Sequence, residues 1–79
     1  MTPKEKIPEQ YSELASEIVL RAVRDYKSAL KRNKKKPDNI DAKYTIYECE
    51  QFFHSSWYQT LTDIDGDFLI RKVKAEALK

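Results

Sequence analysis

Apolar residues recur at helical spacing along most of this chain. Stepped at about 100° per residue from Pro8 to about Asn33, Tyr11, Ala15, Ile18, Ala22, Tyr26 and Ala29 fall within about 40° of one line. Leu14, Val19 and Leu30 flank that line, while Arg24, Lys27, Lys31, Lys34 and Lys35 gather around the opposite side. The pattern predicts an amphipathic first helix over about 8–33, which at about 1.5 Å per residue is about 39 Å long. Thr2-Pro3-Lys4-Glu5 has the form of a helix start, but Pro8 interrupts it, so a loose lead-in is expected before the main helix.

Pro37 ends the first element, and the lysines before it suit the negative end of a helix dipole. Asp38 or Asn39 then caps a second helix, expected over 39–54. Ala42, Ile46, Cys49, Phe53 and Trp57 share one face of it; Ile40, Tyr44, Tyr47 and Tyr58 line a second, about 120° away by the same pitch. Two apolar faces make this the expected central helix, packed on both neighbours. His54-Ser55-Ser56 reads as a break. Ser56-Trp57-Tyr58-Gln59 and Thr62-Asp63-Ile64-Asp65 each place a capping hydroxyl three residues before a reciprocating side chain. They predict a short turn over 56–61 and a third helix over 63–78, with Ile64, Phe68, Leu69, Val73, Ala77 and Leu78 inward. Gly66 would lie inside that helix, at a cost of about 1 kcal/mol against alanine, or mark a tight approach to the aromatic cluster. The expected fold is all-α: one domain over 1–79, a three-helix up-down-up bundle with a short helical insert before the last helix.

Length and composition agree with a small globular unit. The 79 residues are 41% hydrophobic, too apolar for a disordered tail, and no apolar run reaches the roughly 20 residues of a membrane span. With no apolar stretch in MTPKEKIPEQ to act as a secretory signal, a cytoplasmic protein is expected. One glycine excludes a Gly-rich phosphate loop, and one cysteine excludes an internal disulfide. A domain this short needs large side chains in its core. Six of its nine aromatics, Tyr44, Tyr47, Phe52, Phe53, Trp57 and Tyr58, fall within fifteen positions. They read as core, or alternatively as an exposed docking surface.

The formal net charge of +2 hides a segregated distribution. Residues 21–36 carry eight basic groups against Asp25, and residues 38–67 carry seven acids against Lys43. Arg24, Lys27, Lys31, Lys34, Lys35 and Lys36 form a candidate stripe for nucleic-acid phosphates, spanning about 16 Å of helix. The competing reading is a solvated helix face, because a committed DNA binder of this size is usually more basic overall and because no aromatics interleave the cations. A helix-turn-helix fits poorly: the helix in the recognition position would open with Asp63, Asp65 and Asp67 against phosphates of like charge.

Catalytic and metal chemistry find little support. Asp63-Ile64-Asp65-Gly66-Asp67 misses the calcium-loop pattern, with its glycine two places early and Lys74 where the bidentate glutamate belongs. Three acids near a helix start answer to the dipole instead. Cys49 and His54 stand about 140° apart on a helix and lack the further ligands a zinc site needs. Glu48, Glu50 and the three aspartates offer no readable pKa contrast for acid/base work. Neither a catalytic residue, a metal site nor a cofactor is expected.

The stretch Glu48-Cys49-Glu50-Gln51-Phe52-Phe53-His54-Ser55-Ser56-Trp57-Tyr58, continued by Leu61-Thr62-Asp63-Ile64-Asp65-Gly66-Asp67-Phe68-Leu69-Ile70, resembles small uncharacterised proteins of conjugative transposons and prophages in clostridia and related Gram-positive bacteria. The resemblance covers about residues 38–78 and implies a mobile-element accessory protein in a bacterial cytoplasm. The expected function is that of a non-enzymatic accessory module. It would bind a protein, or a second copy of itself, through Tyr44, Tyr47 and Tyr58 on the aromatic helix. The alternative is nucleic-acid binding through the basic stripe and the 34–36 tip. A purely structural or regulatory element with no stable partner of its own is a third class. Neither a membrane nor a small-molecule substrate is expected.

Overall fold

The computed structural model describes residues 16–78, and these form four helices and no strand. In chain order they are α1 (Glu17–Lys35), α2 (Ile40–Phe53), α3 (Ser56–Leu61) and α4 (Gly66–Ala77). The chain is all-α. No helix among the described residues is long and apolar enough to cross a membrane.

Local capping chemistry sets each start. Ser16 is extended, and its hydroxyl accepts the Val19 N–H at 3.2 Å, so α1 begins at Glu17 and an unbroken helix from residue 8 is ruled out at this position. Tyr11, Leu14, Ala15 and the expected lead-in lie outside the described residues. At the far end α1 runs two residues past Asn33, until Lys36 turns extended ahead of Pro37. Its N–H still reaches the Arg32 carbonyl, at 2.9 Å.

Of the two candidate caps for α2, Asn39 takes the role: its side-chain oxygen accepts the Ala42 N–H at 3.1 Å. The helix stops at Phe53, as His54-Ser55-Ser56 predicted, and α3 takes its expected 56–61 span, but Ser55 rather than Ser56 caps it. The Ser55 hydroxyl donates to the Phe52 carbonyl at 2.7 Å and accepts the Tyr58 N–H at 3.1 Å, tying the end of α2 to the start of α3. The last helix also starts later than expected. Thr62 accepts the Ile64 N–H within the connecting turn, and Asp65 caps α4 by accepting the Phe68 N–H at 2.9 Å.

The core corrects the expected inner face of the first helix. Val19, Val23, Tyr26, Ala29 and Leu30 are buried, whereas Ile18 is 46% exposed. The buried stripe is turned by about 60° from the expected line, which brings Val23 and Leu30 inward and turns Ile18 out. The central helix is α1, not α2: α1 packs on both α2 and α4, which meet each other much less. Burial of α2 is confined to the side carrying Ala42, Cys49 and Phe53, with Ile46 packed beside them.

An aromatic cluster closes the core where α1, α2 and α3 meet. Tyr26 meets Phe53 edge-on with ring centres 5.5 Å apart, and Tyr58 meets Phe53 and Phe52 edge-on, at 5.7 Å each. From α4, Leu69, Ile70, Val73 and Ala77 complete the cluster, while Phe68 is half-buried and Leu78 is 46% exposed.

Candidate binding faces

Burial divides the six clustered aromatics in half. Phe52, Phe53 and Tyr58 belong to the core, whereas Tyr44, Tyr47 and Trp57 stay more than half exposed. Tyr58 is therefore corrected from a candidate contact residue to a core residue, only 1% exposed. Trp57, expected on the buried face, is 56% exposed and meets Phe52 edge-on at 5.6 Å. Both changes have one cause. The break at His54–Ser55 resets the helical phase, so positions read as a continuation of α2 exchange sides in α3.

Tyr44 and Tyr47 do lie together on the surface, and Ile40 joins them at the four-three spacing of a helix–helix seam. Their exposures are 61%, 59% and 77%. The three fall within about 60° of arc, directly opposite the buried Ala42–Cys49–Phe53 side. Acidic side chains border the strip, with Asp41 and Glu48 exposed along one edge. A hydrogen bond to the Glu48 carboxylate, together with its negative charge, holds the Tyr44 phenol above its ordinary value. Lys43 stands on the other edge.

The expected basic stripe is rearranged. Arg24, Lys31, Lys34, Lys35 and Lys36 are exposed on α1 and the tip that follows it. Lys27 is not part of an open face: its side chain is 17% exposed and meets the Glu76 carboxylate at 3.6 Å, joining α1 to α4. Arg21 and Arg32, which the sequence reading left out, stand on the outer side with Arg24, Lys31 and Lys35. Turning the helical wheel to the true core stripe was the signal that would have found them.

Several other polar side chains tie elements of the fold together. Cys49 is buried against the Ala22 carbonyl at 3.8 Å, and burial, reinforced by Asp25, pushes its thiol up to about 11. His54 does not meet it; its Nε2 lies 2.7 Å from Asp67. An open cleft of about 460 Å³ lies at that point, lined by residues that include His54, Tyr58, Thr62 and the acidic turn. Two of its acids are engaged, Asp65 in capping α4 and Asp67 with His54. Among the described residues no group of three or more His, Cys, Asp or Glu side chains is placed to hold a metal ion. No protein-family model matches the chain, and neither does any curated protein or solved structure.

Proposed function

We propose that this chain is a non-enzymatic binding module that docks a basic helical segment of a partner protein along Ile40, Tyr44 and Tyr47. The observation that carries the reading is the position of those three side chains. Two tyrosines and an isoleucine stand exposed in line on the side of α2 that, among the described residues, lies opposite its buried side chains. Tyrosine supplies large, stiff contact area together with a polar tip, which suits a surface that must be soluble when free and dry when bound.

Charge supports the choice of occupant. Asp41 and Glu48 edge the strip, so a helix carrying lysine or arginine beside its own apolar seam meets opposite charge. A second copy laid antiparallel on the same face would set these acids against each other, which disfavours self-pairing there.

Selection from a display library of randomised helical peptides tests the reading. The wild-type chain should enrich peptides with apolar residues at three-four spacing flanked by Lys or Arg, and a Tyr44→Ser/Tyr47→Ser variant should fail to hold them. Enriched peptides that are acidic, or that bind the variant equally well, would contradict it.

A further inference from the structure

We infer that the outer face of α1 is a second, separate surface that binds the phosphates of duplex nucleic acid. Arg21, Arg24, Lys31, Arg32 and Lys35 are all exposed and project from about 100° of arc, opposite the side α1 buries against α2 and α4. From Arg21 to Lys35 the face runs about 21 Å along a rigid helix, the length of about six phosphate steps of one strand. Lys36, just past the helix end, adds a further exposed cation at the tip.

Two features of the face select the ligand. Three of its five cations are arginines, whose planar fork matches phosphate oxygens in pairs. Among the described residues no aromatic ring stands on this face to offer unpaired bases a stacking platform, which favours a duplex over a single strand. An anionic membrane is a poorer fit, because the apolar side that would have to enter the lipid is the one α1 buries in the core. The acids of α2 and of the 63–67 turn sit on other parts of the domain, which orients it toward a polyanion despite a net charge of only +2.

The test is fluorescence anisotropy of a labelled duplex of about 20 base pairs, titrated with the whole chain at low and moderate salt. About four phosphate contacts predict a loss of affinity on the order of a hundredfold between about 50 and 200 mM salt. The triple variant Arg21→Glu, Lys31→Glu, Lys35→Glu should keep the wild-type melting curve, since all three side chains are exposed, and lose duplex binding at least tenfold. Asp25→Asn, which removes an acid exposed on the same helix, should tighten it. The Tyr44→Ser/Tyr47→Ser variant should bind the duplex as wild type does, which keeps this surface distinct from the α2 face. The inference is overturned by absence of duplex binding at low salt, by full binding in the triple variant, or by tighter binding to phosphatidylserine vesicles than to the duplex.

Discussion

The Tyr26 hydroxyl, buried on α1, donates to the Glu50 carboxylate of α2 at 2.6 Å, and Lys74 of α4 approaches the same carboxylate oxygen at 3.8 Å. Three helices thus converge on one acid at the edge of the aromatic cluster. Burial, followed by the hydrogen bond to Glu50, raises the phenol well above its ordinary value, so it stays a proton donor at every pH the domain meets. Tyr26→Phe keeps the ring contact with Phe53 and removes only this link. A loss of about 1–2 kcal/mol in urea denaturation is expected, the scale of a hydrogen bond to a partly exposed charge. An unchanged midpoint would show that the link contributes nothing.

Tyr58 is the contrasting case. Its ring lies in the same cluster, but its buried hydroxyl has no hydrogen-bond partner among the described residues. Removing an unpaired polar atom takes away a desolvation cost, so Tyr58→Phe should leave stability unchanged or raise it by up to about 1 kcal/mol. Thermal melts of the two Tyr→Phe variants side by side check this, and a clear fall for Tyr58→Phe would refute it.

Gly66 opens α4 with its backbone pressed against the Phe53 carbonyl, and a Cβ there would overlap that oxygen. Its φ is not positive, so the requirement is for space and not for an unusual backbone. Helix propensity alone would favour alanine by up to about 1 kcal/mol. The contact reverses that preference: Gly66→Ala is expected to cost about 1–3 kcal/mol as the turn moves away from α2. A more stable alanine variant would mean the two segments do not meet this closely.

Stability should also decline in alkali. Burial pushes the Cys49 thiol up to about 11 and the Tyr58 phenol up to about 12, both above their unfolded values. These groups are neutral when protonated, so above the unfolded thiol value the denatured chain sheds protons that the native chain keeps. The thiol's contribution is complete below about pH 8.5 and is lost as pH climbs through about 11; the phenol's is complete below about pH 10 and is lost as pH climbs through about 12. Urea midpoints at about pH 8 and pH 10 should show the fall, and Cys49→Ala should make it shallower. A midpoint that rises over this interval would mean the thiol is not held neutral by the fold.

Much of the fold was legible because its signals are local. Pro37, the Asn39 cap and the serine break all act within one turn, and each appears in the structure. Ambiguity entered where two capping residues compete. Ser55 and Ser56 stand together, and Thr62 precedes Asp65, so pattern alone gave α3 its 56–61 span with the wrong capping serine and started the last helix too early. The inner face of α1 was misplaced because several alanines carry as much weight in an angular count as Val19 and Val23, yet bury far less area. That error removed Arg21 and Arg32 from the basic face and kept Lys27 on it. Tyr44 and Tyr47, which precede the break, share a face as the spacing predicts, but that face is exposed and not packed on a neighbour, while Tyr58, which follows the break, leaves it for the core.

The division of the aromatics between a core and a free face is the claim on which the proposed function rests. Its most direct test compares the unfolding free energies of Tyr44→Ala/Tyr47→Ala and Tyr58→Ala by urea denaturation. The double surface variant should stay within about 0.5 kcal/mol of wild type, while truncating the buried ring should cost about 3–5 kcal/mol. A loss above about 2 kcal/mol in the double variant would show that Tyr44 and Tyr47 hold the domain together, leaving no free face for a partner.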